Sequence, residues 1–398
     1  MAEIFDVIII GAGPNGLAVG AYLSRAGQKV LVLESSDTPG GLAACHEFHP
    51  GFRAPVAHSV NHFPKKIARG LDLESHGFGT STRPPSLVGL SPDGNHVVLK
   101  GDSLTGVGEK DAGSYREYIQ SMRRFADALA PFWLKTIPRA AVGSPAEMMT
   151  FAHIGLKLRL LGRSDLREFM RIAALPARDL MDEYFENDVL KAALCWDALI
   201  GSKMAPRSPN NAVLPMLYRM AGQCSGSPGS LIEALQASAL ASGAEVRTSA
   251  PVERILIRAD KSGLSAHGVT LAGGERIEAD RVVSSADPQT TFFRLCGVEN
   301  LEIEFTNRIR RLRCDGYVAK LHLALSGLPE FTGLDKPEGR LIIAPEMDAI
   351  EFAFDEAKYG GCSKSPVMEI LVPSLDDSSL APACLLYTSD AADDTSEV

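Results

Sequence analysis

The N-terminal stretch constrains the fold of this chain more than any other part of the sequence. An apolar run ends at Gly11-x-Gly13-x-x-Gly16, a helical pattern follows, and a second apolar run ends at Glu34, eighteen residues after Gly16. This order of strand, glycine turn, helix, strand and acid is the βαβ fingerprint of a dinucleotide-binding domain. The sequence therefore predicts an α/β fold with a bound dinucleotide.

Each glycine has a physical role in such a turn. The first permits the tight strand-to-helix turn, the second lets the backbone approach a pyrophosphate, and the third lets the helix pack closely on the strand. The start of the helix directs N–H groups and a partial positive charge at the pyrophosphate. The predicted cofactor-binding residues of the turn are Gly11, Ala12, Gly13, Pro14, Asn15 and Gly16.

The acid and a second glycine pair narrow the choice of dinucleotide. Glu34 ends the second apolar run, where a carboxylate can accept hydrogen bonds from ribose hydroxyls and disfavours a 2′-phosphate. This favours FAD or NAD over NADP. Gly40 and Gly41 follow shortly afterwards and offer further bare backbone near phosphate, which a simple NAD domain does not need. We therefore expect FAD.

Composition excludes several classes of protein. The 398 residues are enough for two or three domains, and 49 acidic against 40 basic residues give a net charge of −9, which argues against a nucleic-acid partner. No secretory signal or membrane-spanning run precedes or interrupts the pattern. The seven cysteines are scattered and never form C-x-x-C, which favours a reducing compartment. We expect a cytoplasmic protein, and its oligomeric state stays open.

The rest of the chain alternates between two kinds of pattern. Helical periodicity dominates residues 114–201, short strands follow Gly243, and strand-like runs at 317–325, 340–344 and 367–372 predict an antiparallel sheet. A hairpin is predicted over 86–100. The fold class is therefore a discontinuous Rossmann-like domain with an inserted helical cap and an antiparallel-sheet substrate domain. The predicted segments are 1–75 and 220–298 for the nucleotide domain, 76–219 and 299–383 for the cap and substrate domain, and 384–398 for a terminal tail.

Two further patterns each allow more than one interpretation. Residues 151–163 mix leucines with His153, Lys157, Arg159 and Arg163, as in an ordinary cap helix or in a basic amphipathic helix that contacts a membrane surface. His58 and His62 would share a helix face, but no set of four ligands has metal spacing, so no metal site is predicted. His58 is instead the candidate for a residue beside the cofactor ring.

The motifs in this order resemble the phytoene-desaturase-like FAD-dependent oxidoreductases of the flavin amine oxidase superfamily. Five parts of the sequence account for the resemblance: the glycine turn with its acid, the Gly40-Gly41 pair, the helix before Gly243, the strand at Val252 and the run from Val282 to Pro288. The resemblance implies that Gly40 and Gly41 lie near the phosphate and ribityl groups of FAD, and that the Val252 backbone meets the adenine. It also implies removal of hydride from an unactivated or allylic C–H of a bulky, apolar substrate.

The sequence departs from the family pattern at three places. Leu42 stands where many relatives have Arg, and Pro55-Val-Ala57-His58 replaces an Asp-x-Gly-Pro motif, so carotenoid chemistry is not assumed. Separately, the sequence contains neither a second G-x-G-x-x-G nor a redox dithiol, so we do not expect disulfide reductase activity. Residues 384–398 resemble non-native read-through, so we expect a C-terminally truncated fragment that binds FAD weakly or not at all.

Two alternative functions remain at the level of the sequence. One is an NAD-dependent dehydrogenase, against which the Gly40-Gly41 pair argues. The other is a non-catalytic binding protein of the same fold class, like the Rab escort and GDP-dissociation-inhibitor proteins, which lack the glycine-plus-acid site that this chain retains.

Overall fold

The computed structural model describes residues 4–57, 63–79, 85–135, 144–199, 202–209, 213–221, 226–260, 263–313, 316 and 318–382. Among these residues the strands are β1 (Ile4–Ile10), β2 (Val30–Leu33), β3 (Cys45–His49), β4 (Phe52–Pro55), β5 (Leu87–Gly89), β6 (Val97–Lys100), β7 (Ser103–Thr105), β8 (Glu245–Arg247), β9 (Val252–Asp260), β10 (Gly263–Leu271), β11 (Arg276–Ser284), β12 (Arg340–Ile343) and β13 (Met368–Ile370). The helices are α1 (Pro14–Arg25), α2 (Lys65–Gly70), α3 (Glu109–Leu129), α4 (Pro145–Leu160), α5 (Arg163–Ile172), α6 (Ala177–Tyr184), α7 (Asp188–Leu199), α8 (Val213–Met220), α9 (Pro228–Ala241), α10 (Ile303–Arg310) and α11 (Met347–Lys358).

The chain forms two compact units, each built from two segments. Unit 1 contains Met1–Ser81 and Cys224–Asp315, and unit 2 contains Thr82–Gln223 and Gly316–Val398. The second segment of unit 1 ends after the predicted boundary at 298. It does so because α10 attaches to a π-helix over Thr290–Gly297, where the ring centroid of Phe292 lies 4.8 Å from that of Phe305 in α10.

Unit 1 is organised around a six-stranded sheet in the order β8-β2-β1-β11-β10-β9. The first four strands run parallel, and β10 and β9 extend the sheet antiparallel. Strand β2 alternates between two cores: Val30 and Val32 pack with α1 and α9, and Leu31 and Leu33 pack on the opposite face. Because both faces are covered, the strand is apolar throughout.

Unit 2 combines helices with a five-stranded sheet in the order β13-β12-β5-β6-β7. The hairpin predicted over residues 86–100 forms as β5 and β6. The sheet is antiparallel except for the pair β12 and β5, which run parallel. Its helices enclose an aromatic core in which Tyr118 and Phe125 of α3 are almost completely buried. The α/β class predicted from the sequence is confirmed.

One predicted strand does not form. Residues 318–325 have no strand structure, and Leu321 and Leu323 in this run are exposed. The alternating pattern fails because, within the described ranges, no neighbouring strand pairs with it. Tyr317 and the predicted tail 384–398 lie outside the described residues. No helix in the described part of the chain combines the length and apolar character needed to cross a bilayer.

Candidate functional site

The glycine turn of unit 1, residues 11–16, joins β1 to α1 and is closed by backbone contacts. Gly11 has φ +94°, in the region that favours glycine, and its N–H donates to the Leu33 carbonyl at 2.8 Å. A Cβ on Gly16 would lie 1.9 Å from the Gly11 carbonyl oxygen. Only glycine therefore allows α1 to start this close to the strand.

Gly13 differs from its two neighbours in the motif. Among the described residues, no atom would lie within 4 Å of a Cβ added there. Gly13 is the N-cap of α1, which has Pro14 in its first turn and no side-chain capping hydrogen bond. The second glycine therefore faces open space in front of a helix N-terminus whose first N–H groups have no intrahelical partner. This arrangement fits the pyrophosphate of a dinucleotide.

Glu34 is held against this turn by hydrogen bonds. Its side chain is buried, and Oε2 accepts from the Ala12 N–H at 2.8 Å. Oε1 accepts from the Ser36 N–H at 3.0 Å and from the Ser35 hydroxyl at 3.1 Å. The carboxylate thus also braces the turn, a role that the sequence analysis did not assign. A carboxylate offers about four acceptor positions, which leaves room for a ribose hydroxyl.

The Gly40-Gly41 pair lies beside the glycine turn. The Gly40 N–H donates to the Ala12 carbonyl at 2.9 Å, and Gly40 has φ +129°. A Cβ on Gly41 would lie 3.6 Å from the Gly13 Cα. Two glycine segments that are separate in sequence therefore present adjacent bare backbone next to Gly13.

Val252 begins β9 in the same unit, near the loop that follows β2. Shortly before it, the Ala250 N–H donates to the Glu34 carbonyl at 2.8 Å, and the Ser249 N–H donates to the Ser36 carbonyl at 2.7 Å. These bonds fix the entry to β9 against the segment that carries the acid. The residues predicted to contact the ribose and the adenine, Glu34 and Val252, therefore lie in two backbone segments that these hydrogen bonds join.

The Ser285 side chain contacts the backbone of the glycine turn, although the sequence did not suggest a role for it. Its hydroxyl lies 3.0 Å from the carbonyl oxygens of both Ile10 and Gly11. A Cβ on Gly11 would come within 2.7 Å of this hydroxyl, and one on Gly16 within 3.0 Å. The register of β11 on β1 pairs Ser284 with Ile10, and this places the next residue, Ser285, beside the turn. The sequence alone does not give this register.

The sequence also predicted Asn15 and His58 as residues of the site. Asn15 is exposed at the start of α1, beside the open position. His58, the candidate for a residue beside the cofactor ring, lies outside the described residues. The part of the chain that the structure describes contains no group of three or more side chains arranged to bind a metal.

Unit 2 contains a buried charge cluster, which consists of Asp197, Arg340 and Glu369 with Trp196. The Arg340 guanidinium donates from two nitrogens to the Glu369 carboxylate at 2.9 Å and lies 2.6 Å from Asp197 Oδ1. The Trp196 indole N–H also donates to Glu369, at 2.6 Å. Burial lowers the pKa of Arg340, but hydrogen bonds and the two carboxylate charges outweigh it and raise that pKa overall. The cluster ties β12 and β13 to α7.

The model of the FAD-dependent oxidoreductase family called DAO matches residues 6–359 of this chain. The chain belongs to this family. Its cofactor is therefore FAD, and it is an FAD-dependent oxidoreductase. The family assignment decides against the NAD-dependent and the non-catalytic alternatives.

Individual relatives cover different shares of the chain. Pyridine nucleotide-disulfide oxidoreductase domain-containing protein 2 from Rattus norvegicus, the type that the motifs resemble, is 28% identical over 95% of this chain and 71% of that protein. One of the limonene dehydrogenase subunits from Castellaniella defragrans is 31% identical over 75% of this chain and 54% of that protein. The solved structure of cyclohexylamine oxidase from Brevibacterium oxydans has a TM-score of 0.43 at 18% identity, and the match covers 77% of this chain and 63% of that one. The chain thus matches only part of each relative's length.

Proposed function

We propose that this FAD-dependent oxidoreductase is a dehydrogenase of the desaturase type: a bulky, apolar organic substrate would lose a hydride to bound FAD and a proton to water, which leaves a C=C double bond. The support for the substrate class is the name of the limonene dehydrogenase relative, whose stated substrate is a hydrocarbon. Bound FAD would supply the hydride acceptor for this chemistry. The chain's own contribution is to bind the cofactor and orient the substrate.

The proposed mode of FAD binding rests on a difference in the space around the three glycines of the turn. Gly11 and Gly16 are blocked by protein atoms, whereas Gly13 faces open space. We assign the pyrophosphate to this space, where the backbone of the turn and the start of α1 can donate to it. Ser285 keeps the turn closed through its hydroxyl.

We assign the remaining cofactor contacts to residues in the segments that adjoin the glycine turn. Glu34 would bind a ribose hydroxyl with the acceptor capacity that its three protein donors leave. Gly40 and Gly41 would bind the neighbouring phosphate, and Val252 would contact the adenine through its backbone. No general base is assigned, because hydride removal by a flavoenzyme can depend on orientation of the substrate.

Anaerobic reduction of the flavin tests the substrate class. The purified chain is loaded with FAD and mixed either with limonene, as the hydrocarbon probe, or with cyclohexylamine, as the amine probe. We expect the visible flavin absorbance to bleach with limonene and not with cyclohexylamine. Bleaching by the amine alone, or by neither probe while dithionite still reduces the bound flavin, would overturn the proposal.

A further inference from the structure

Helix α4 in unit 2 is apolar on two opposite sides. Leu158 packs towards the core of unit 2, and Leu161, directly after the helix, packs on the same core. On the other side Met149, Leu156 and Leu160 are 70%, 56% and 70% exposed. These three residues follow one another at intervals of seven and four, so they share one helix face. An ordinary surface helix would carry polar residues there.

The exposed face is bordered by cations. Lys157 and Arg159 lie in α4 and Arg163 begins α5, whereas the single acid of α4 is Glu147 in the first turn. The Glu147 carboxylate caps the helix, since it accepts from the Ser144 N–H at 3.3 Å. A chain with a net charge of −9 therefore presents a local surface that is both apolar and basic.

Further exposed aromatic and apolar side chains lie in the segment that contacts α4 through Phe132. The ring centroid of Phe132 lies 5.2 Å from that of His153 in α4. Trp133 and Leu134 follow Phe132 and are 37% and 50% exposed, and Lys135 comes next. Tryptophan has an apolar body and a polar N–H, which suits the boundary between water and lipid.

We propose that this surface, made by the outer face of α4 with Trp133 and Leu134, rests on a lipid bilayer that carries anionic headgroups. Apolar side chains would enter the acyl boundary while Lys157, Arg159 and Arg163 meet the headgroups. A symmetric contact with a second copy fits less well, because it would bring the same cations of two chains together. The inference does not depend on the proposed substrate.

Co-sedimentation with vesicles tests the proposal on the full chain. Vesicles of phosphatidylcholine alone are compared with vesicles that also contain phosphatidylglycerol, at low and high salt. We expect the chain to bind the anionic vesicles more tightly and to lose binding as salt rises. The variants Leu156→Gln/Leu160→Gln and Lys157→Glu/Arg159→Glu should each weaken partitioning by at least about tenfold.

Two matched variants control for the chemistry of the substitutions. Leu321→Gln/Leu323→Gln removes two other exposed leucines of unit 2, and Arg308→Glu/Arg310→Glu reverses two cations with the same spacing on α10. Both should bind anionic vesicles like the unchanged chain. Circular dichroism should show all four variants folded, since every substituted residue is exposed.

The proposal is overturned if the unchanged chain stays in the supernatant with anionic vesicles at low salt. It is also overturned if the control variants lose binding equally, or if light scattering shows a dimer that Leu156→Gln/Leu160→Gln dissociates. FAD titration of the same samples keeps the two proposals separate, because loss of flavin binding with vesicle binding intact would count against the proposed function alone.

Discussion

The glycine turn of unit 1 and the buried charge cluster of unit 2 are both fixed by close contacts, but in opposite ways. The turn depends on missing side chains, since a methyl group on Gly16 would lie 1.9 Å from a carbonyl oxygen. The cluster depends on large charged side chains in close contact, with Arg340 and Glu369 both buried. The turn leaves one open position, at Gly13, whereas the charges of the cluster face each other. We therefore propose that the turn serves a ligand and that the cluster serves the fold.

Breaking the cluster should have the largest effect on stability. Arg340→Ala would remove the guanidinium that donates two hydrogen bonds to the buried Glu369 carboxylate, which costs about 3–5 kcal/mol. The double variant Arg340→Met/Glu369→Met should recover part of this loss, because it removes both charges. Chemical denaturation followed by tryptophan fluorescence measures the difference. As a control, Arg171→Ala removes an exposed ion pair and should cost about 1 kcal/mol or less. An equal loss in Arg340→Ala and Arg171→Ala would contradict a structural role for the cluster.

The glycine turn should not tolerate a methyl group at its third glycine, Gly16. Gly16→Ala would force α1 away from Gly11, which should cost about 3 kcal/mol and abolish FAD binding. Gly113→Ala is the control, because Gly113 lies in α3 with open space around its Cβ, and there the methyl group should stabilise by about 0.5–1 kcal/mol. Thermal unfolding and FAD titration check both variants. A Gly16→Ala protein with unchanged stability would show that the turn is not closed as described.

Ser285→Ala sharpens the distinction between ligand binding and folding. Loss of its hydrogen bond to the turn should cost about 1 kcal/mol and weaken FAD affinity by about fivefold to tenfold. Ser86→Ala provides a close match in unit 2, since the Ser86 hydroxyl donates to the Glu338 carbonyl at 3.2 Å and lies under Gly339. That variant should lose similar stability without change in FAD affinity. Equal FAD affinities for the two variants would show that Ser285 does not contribute to FAD binding.

The smallest effect concerns the turn between β5 and β6. Hydrogen bonds from the Ser91 hydroxyl and from Asn95 lower the pKa of Asp93 to about 2. Because an unfolded aspartate has a pKa of about 3.9, the stabilisation is present above that pH and disappears as the pH falls through about 2. Asp93→Asn should therefore be less stable than the unchanged chain at neutral pH and equally stable below pH 2. Asp335→Asn, on an exposed loop, controls for the loss of one charge. A difference that persists at the lowest pH would contradict this cause.

The sequence predicted those parts of the structure that depend on local geometry. Helix α1, the turn at Gly11 and the hairpin over residues 86–100 were all predicted, because positive φ angles and close approach restrict the residue type. The contribution of Ser285 was missed, since it reaches the turn from 274 residues away in the chain. The partners of Arg340 were missed for the same reason. The strand predicted at residues 318–325 failed because alternation alone does not supply a neighbouring strand.

FAD binding to the unchanged chain and to Gly13→Ala tests the central claim most directly. A Cβ on Gly13 meets no atom within 4 Å in the described part of the chain, so this variant should fold normally while it fills the space assigned to the pyrophosphate. Gly79→Ala, also in open space in unit 1, is the control. We predict that FAD binds the unchanged chain saturably, is displaced by ADP, and binds Gly13→Ala at least about tenfold more weakly with no change in thermal unfolding. Equal FAD affinity for Gly13→Ala and the unchanged chain, or FAD binding that ADP does not displace, would contradict the claim.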